Sequence, residues 1–486
     1  MSIEVMPAKG DVTSIACDAL IVAAGSKDGS VVLSEAAEHL DREFDGYLSS
    51  YLKEISYKGE GREIAIFPSF GKVAASTIVV VGVDKKGDGI KRVRRAAAAC
   101  ARRLSERSVI ASTLHSVEAG TVAASIEGFV LGAYKSPTRK KDAKKSKIER
   151  IELLDADKAD IARGLVYAAA TIIARDLVNQ PGSELTPTTF AERAQLIASE
   201  TGLDCDVLDE KELRKRGFGG LLAVAQGSVN PPKLIQLRYS PRGAKERVAL
   251  VGKGVTFDSG GLSLKTAGGM EDMKTDMGGG AAVIGAMSAL SRLKPKIEVI
   301  ALIPATENMP SGSAIKPGDV IQHYGGLTTE VLNTDAEGRL ILADALVLAS
   351  EQEPKAIIDA ATLTGSMSIA LGHKMTGAFS NDDELWEEFA AAAGRAGEPM
   401  WRMPLVEDYR KSLDSDVADM KNIGTRYGGA VVAALFLREF VGEKIPWIHL
   451  DIAGTGRAEG ESDDGPRGAT GVATRTLIAW LEKRGR

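Results

Sequence analysis

The sequence predicts an α/β protein, with a smaller N-terminal α/β domain over residues 1–160 and a larger C-terminal domain over residues 161–486. The larger part should carry a mainly parallel central sheet flanked by helices. Three observations carry this reading. Short, continuous apolar runs rich in β-branched residues recur in both parts, as strands buried on both faces require. Longer helical patterns alternate with them. A Lys/Arg-rich, apolar-poor stretch at 135–150 interrupts the alternation.

In chain order, Ala19–Ala24 is an apolar run ending at Gly25, and Glu63–Pro68 is a second candidate strand. Thr77–Val83 is the clearest strand, β-branched and bounded by turn residues. Ile90–Leu104 is rich in Ala and Arg, which favour helix. The 135–150 stretch reads as a solvated linker. A nucleic-acid contact is its competing reading, but no aromatic residue is interleaved in the basic run at 139–150. A helix over Ala156–Val178 follows, placing the domain boundary near 160–175. Beyond it come a strand at Val248–Gly252, a helix at Gly278–Leu293 and a strand at Val299–Ile303. A helix at Leu340–Ser350 and a strand at Ala356–Asp359 complete the pattern. Functional groups are expected where such strands give way to loops.

Composition narrows the function. The 486 residues are 44% hydrophobic and 26% charged, which excludes disordered, collagen-like and disulfide-dense chains. The formal net charge of −5 offers no global basic field to nucleic acid or an anionic membrane. Cys17, Cys100 and Cys205 are far apart and read as small buried hydrophobes, so a reducing, cytoplasmic setting is expected. The N-terminus lacks a basic segment ahead of an apolar core, and no apolar run approaches the ~18 residues of a membrane span.

Two segments concentrate carboxylate, lysine and glycine. The first runs from Val251 through Lys253, Asp258 and Lys265 to Asp276 and the glycines at 278–280; the second is Asn333–Leu340, with Asp335, Glu337 and Arg339. Neither a P-loop nor a Rossmann fingerprint is present, although a glycine triplet at a helix start suits an anion. The alternative is a cation site. Asp335 and Glu337, two apart, share one side of an extended segment and repel unless a cation lies between them. The candidate ligands are oxygens with at most one lysine nitrogen, which suits Mn²⁺, Mg²⁺ or Zn²⁺. Four carboxylates fit two cations better than one, which implies hydrolysis of a carbonyl or phosphoryl compound. No GxSxG elbow accompanies the five histidines, His39, His115, His323, His373 and His449, so a Ser-His-Asp hydrolase lacks support. His449 lies in an apolar run and reads as a core histidine.

NTDAEGRL at 333–340 resembles the signature of the leucyl (cytosol) aminopeptidase family. VGKGVTFDSGGLSLK at 251–265, MKTDMGGGAAV at 273–283, ARDLVNQPGSELTP at 174–187, DAATLTG at 359–365, DMKNIGTRYGG at 419–429 and HLDIAGT at 449–455 are similar to further segments of that family. The likeness covers about residues 165–486, making 161–486 the catalytic domain; the N-terminal part resembles the family's macro-like domain only in size and α/β character.

The resemblance implies a dinuclear metallo-aminopeptidase that removes N-terminal residues, often leucine, from short peptides. It implies that Asp258 and Glu337 bridge two divalent ions (Mn²⁺ or Zn²⁺), that Lys253, as a neutral amine, and Asp276 complete the tighter site, and that Asp335 completes the more exchangeable one. A bridging hydroxide would attack the scissile carbonyl, Lys265 would stabilise the oxyanion, and Arg339 would hold a bicarbonate that shuttles the proton. Met273, Asn333, Thr362, Leu363 and Gly365 match positions that line the side-chain pocket or place its loops. It further implies a homohexamer of two stacked trimers whose sites face an interior cavity; no membrane partner is expected, and DNA binding, which some bacterial relatives show, stays a competing reading that the net charge of −5 and the brief basic run at 139–150 support only weakly.

Overall fold

The computed structural model describes residues 3–84, 88–143, 145–461 and 465–486. The chain separates into two compact units, Met1–Ala169 with Gly460–Arg467, and Ala170–Glu459 with Gly468–Arg486. The helix containing the expected boundary runs unbroken over Lys158–Asn179. Among the described residues, no helix is long and apolar enough to cross a membrane.

The first unit is built on a seven-stranded sheet. Its order is Glu4–Ala8, Arg150–Leu154, Val109–Ser112, Ala19–Lys27, Thr77–Gly82 and Ile64–Pro68, with Ser30–Leu33 paired beside Ala19–Lys27. Alternation along the central strands feeds two cores. Leu20, Val22, Ile78 and Val80 pack with Leu40 and Leu48, while Ala19, Ile21, Val79 and Val81 pack with Cys100 and Phe129. All of Thr77–Gly82 is buried, which is why the run reads as continuously apolar. Burial of each such Val or Ile contributes about 1.5–3 kcal/mol. The described part of 135–149 has little regular structure and is largely exposed; it is a solvated loop inside the first unit and not a linker between units, because Arg150–Leu154 pairs in the same sheet, and Lys144 lies outside the described residues.

The second unit carries a nine-stranded sheet in the order Met400–Arg402, Thr376–Ser380, Trp447–Asp451, Ile357–Ala361, Arg247–Gly252, Glu298–Asn308, Lys233–Tyr239 and Asp204–Leu208. The four central strands, Trp447–Asp451 through Glu298–Asn308, are mutually parallel. The neighbours Thr376–Ser380 and Lys233–Tyr239 run antiparallel to them. Gly254–Asp258 pairs in parallel with the far end of Glu298–Asn308. Helices Gly338–Glu351 and Gly429–Arg438 bury one face through Leu342, Leu346, Leu435 and Phe436 against Val251, Ile300 and Ile357.

Two expectations change. The glycine triplet lies within the first turn of the helix Gly278–Leu293, and a Cβ at Gly279 would come within 1.8 Å of the Ala360 carbonyl oxygen. Close helix-to-strand packing explains that glycine without an anion. Cys17 and Cys100 are buried, but Cys205, on the terminal strand Asp204–Leu208, is only partly so.

Candidate metal centre

The carboxyl ends of the parallel strands supply most of the site. Lys253 follows Arg247–Gly252, Asp258 ends its strand, Asn308 ends Glu298–Asn308, and Thr362 follows Ile357–Ala361. Open α/β sheets bind ligands at such ends. Asp276 stands between the short turn Met273–Thr275 and the helix Gly278–Leu293.

Asp335 and Glu337 meet the cluster through a turn and not along an extended segment. Ala336 N–H donates to Asn333 O at 3.2 Å, and Asp335 N–H donates to Asn333 Oδ1 at 2.8 Å. Asn favours this because its side-chain oxygen takes the amide two residues on. Glu337 precedes the helix Gly338–Glu351 without capping it, which leaves its carboxylate to the cluster. A Cβ on Gly338 would lie 2.5 Å from Lys253 Cε and 2.7 Å from Nζ, so any side chain there would push the lysine end out of its present place between Asp276 and Glu337.

Six of the sequence-predicted residues come together. Lys253 Nζ lies 2.7 Å from both Asp276 Oδ2 and Glu337 Oε1, and it donates to Thr362 O at 3.1 Å. Lys265 Nζ lies 2.7 Å from Asp258 Oδ2 and also contacts Asp335. Carboxylate oxygens of Asp258, Asp335 and Glu337 lie within 4.8 Å of one another. Lys253, Asp258, Asp276 and Glu337 are almost fully buried, whereas the Asp335 side chain is 34% exposed.

The electrostatics fit divalent cations. Four carboxylates face two ammonium groups, leaving two negative charges uncompensated in a largely buried place, where isolated charge is costly. Burial pushes the Asp258, Asp276 and Asp335 carboxyls above their usual range; Glu337 adds to the shift at Asp258. Asp276 Oδ2 and Glu337 Oε1, although close to Lys253, lack any hydrogen bond of acceptable geometry. Burial opposes charge on Lys253, but Asp276, Glu337 and Asp258 outweigh it and hold the amine protonated. Lys253 could act as a metal ligand, as the neutral amine, only once bound cations reversed the local field and its proton was lost to solvent. Lys265 is likewise held charged against its burial, chiefly by Asp258.

Arg339 lies in the first turn of Gly338–Glu351, and its Nη1 donates to Asn422 O at 2.8 Å, while Nε is buried without a hydrogen-bond partner. Burial lowers its pKa to about 10, so it remains cationic at neutral pH. Thr362 donates to Asp276 Oδ1 at 2.7 Å, which ties it to the acidic cluster. Leu363 is partly buried against the main core, Gly365 opens the helix Gly365–Leu371, Met273 is half-buried, and the Asn333 side chain is engaged by its own turn. His449 is a core residue, its Nδ1 2.6 Å from Asp359 Oδ1. An open groove lined by Asp209, Lys211, Arg214, Lys215 and Lys233 shares no residue with the cluster.

Sequence reading missed Asn308, which orients a cluster carboxylate, and Asp451, which holds the loop after Ile357–Ala361. Asn308 Nδ2 donates to Asp258 Oδ1 at 2.8 Å and to Thr334 O at 2.9 Å. Asp451 accepts from the Thr364 hydroxyl at 2.6 Å, at the end of the neighbouring strand. Each closes its strand, Asn308 after Thr306 and Glu307 and Asp451 two residues after His449, which is the only local signal for either.

The sequence model for the cytosol aminopeptidase family, catalytic domain, matches residues 172–478, and that for the family's N-terminal domain matches residues 24–143. A probable cytosol aminopeptidase of Streptomyces coelicolor is 44% identical, the match covering 96% of this chain and 95% of the relative. One from Alkaliphilus oremlandii is 40% identical over 98% of each chain. Among solved structures, a tomato leucine aminopeptidase mutant matches with a TM-score of 0.89 at 35% identity, covering 99% of this chain and 97% of that one. The bottromycin maturation enzyme BotP in complex with Mn matches at 0.88 and 36%, covering 97% and 100%. On the matched catalytic and N-terminal domains and these near-full-length relatives, the chain belongs to the cytosol aminopeptidase family and is a peptidase hydrolase.

Proposed function

We propose that the chain is a two-metal aminopeptidase that removes N-terminal residues, preferentially leucine and similar aliphatic ones, from short peptides. The buried acidic cluster, divided between two lysines, carries the reading: Lys253 sits with Asp276 and Glu337, and Lys265 with Asp258 and Asp335. That division supports two ion positions. Asp258 and Glu337 would serve both ions, Lys253 and Asp276 would complete the tighter position, and Asp335, the most exposed of the carboxylates, the exchangeable one. The donor set suits Mn²⁺ or Zn²⁺, and the Mn-bound relative favours manganese. When bound, the pair supplies Lewis acidity toward the scissile carbonyl and a nucleophile available at neutral pH.

The chain's own groups do the remaining work. Lys265, held charged at the edge of the cluster, donates to the oxygen that gains charge in the transition state. Arg339 stays cationic and cannot act as a base; in keeping with the family resemblance it would hold a bicarbonate, which would supply a proton relay. Met273 and Leu363 supply apolar surface for an aliphatic side chain, with Thr362, Gly365 and Asn333 shaping the loops around it. Residues 161–486 would serve as the catalytic domain and 1–160 as the N-terminal one, a division that the family matches over 172–478 and 24–143 support. Exposed Leu262, Leu264, Val320 and Leu332 support association into the hexamer that the family resemblance implies, and the relatives named as probable cytosol aminopeptidases favour the cytoplasm.

The test is cleavage of Leu-Gly against N-acetyl-Leu-Gly and p-nitrophenyl phosphate by Mn²⁺-treated protein. Only the unblocked dipeptide should be hydrolysed, and chelation should abolish that. Turnover of the phosphate ester with the dipeptide left intact would overturn the reading.

A further inference from the structure

We propose that Asn422 is the positioning residue that sets the turn carrying Asp335 and Glu337 and links it to Arg339. This rests on the metallopeptidase reading above. Asn422 follows the short strand Met420–Lys421, which pairs in parallel with Thr328–Val331 just before that turn, and it is completely buried. Its main-chain N–H donates to Glu330 O at 3.0 Å. Its side-chain Oδ1 accepts from Leu332 N–H at 2.9 Å and Asn333 N–H at 3.3 Å. Its Nδ2 donates to Asn333 O at 2.6 Å and Ala336 O at 3.4 Å. Its main-chain oxygen accepts from Arg339 Nη1 at 2.8 Å.

One side chain therefore satisfies donors and acceptors on both arms of a turn that holds two candidate ligands, and its backbone fixes the arginine beyond them. Only a carboxamide supplies an acceptor and two donors in that plane. The arrangement does more than fill space. Asp335 is more exposed than the other three carboxylates, and its backbone is set by Asn333, whose own amide and carbonyl are both held by Asn422. Loss of the carboxamide should therefore loosen the Asp335 side of the cluster first. Groups that orient metal ligands typically carry about 10–100-fold in affinity or activity.

Asn422→Asp is the decisive substitution, because it keeps the volume and the acceptor but turns an oxygen toward the Asn333 and Ala336 carbonyls; Asn422→Ala is its companion. Full-length proteins are stripped with chelator and titrated with Mn²⁺, with bound metal read by electron paramagnetic resonance and kcat and KM by leucine p-nitroanilide hydrolysis. Both variants should bind the weaker Mn²⁺ at least about tenfold less tightly, retain the tighter ion, and lose kcat more than KM, the Asp form at least as severely as Ala. Wild-type metal binding and kcat within twofold in a folded Asn422→Asp would overturn the proposal. So would loss of the fold by circular dichroism in both variants, since the role would then be global. If the wild type itself neither bound Mn²⁺ nor cleaved the substrate, the metallopeptidase reading would fall instead.

Discussion

Replacing Lys265 with Met separates the two tasks a cation can perform beside this cluster. The ammonium lies 2.7 Å from Asp258 Oδ2 and contacts Asp335, and its side chain is 16% exposed. Met keeps most of the aliphatic volume and removes the charge. If Lys265 donates to the developing oxyanion, the loss should match that of one oxyanion-hole donor, about 10²–10³ in kcat or roughly 2.7–4 kcal/mol. Metal binding should move the other way. Two unit charges ~4 Å apart at an effective dielectric near 20 interact by about 4 kcal/mol, so deleting a positive neighbour removes repulsion from an incoming divalent ion. The assay is steady-state hydrolysis of leucine p-nitroanilide at saturating Mn²⁺, with bound metal measured on the same samples. The expected result is a collapse of kcat, a KM within a few-fold, and metal affinity unchanged or tighter. A kcat within tenfold of wild type at full metal content would refute the donor role. Activity falling in step with metal content would show that Lys265 helps to build the site and does not act on the substrate.

Manganese should stabilise the fold, since the cluster carries excess negative charge; at a hundred times its dissociation constant the gain is about 2.7 kcal/mol, read as a Tm rise of a few degrees that chelator reverses. An unchanged Tm would count against ion binding at the cluster. Gly338→Ala should lose at least about tenfold in metal affinity, because its Cβ meets the end of Lys253. A variant with wild-type metal affinity and activity would contradict that packing. Burial works against charge on His449, but Asp359 outweighs it and raises the imidazole pKa. A raised folded value stabilises fully below the unfolded pKa of about 6.5 and fades as pH climbs through the folded one. The Tm gap between wild type and His449→Gln, measured in chelator, should thus be widest near about pH 6 and narrow toward alkaline pH; a gap that grew with pH would reverse the sign.

The central strands were legible because burial on both faces leaves no polar alternation, as in Val248–Val251 and Thr77–Gly82. The antiparallel neighbours of the four parallel strands were not, because pairing direction is set by tertiary connections. The domain division was legible only as a shift in composition, because the helix Lys158–Asn179 runs unbroken through the expected boundary. The cluster residues were legible as types and spacing, but the geometry uniting Asp335 and Glu337 was misjudged: alternation assumes an extended chain, and Asn333 turns it. Asn308 and Asn422 stayed invisible because they act across roughly fifty to ninety residues of sequence, through bonds that exist only once strand ends meet.

The central claim is a pair of divalent ions held by one acidic cluster and needed for cleavage at a free amino end. Titrating chelator-treated protein with Mn²⁺ while following both bound metal and Leu-Gly hydrolysis tests it most directly. Full activity should appear only as the second equivalent per chain binds. Full turnover with one ion or none, or two ions bound without cleavage, would contradict it.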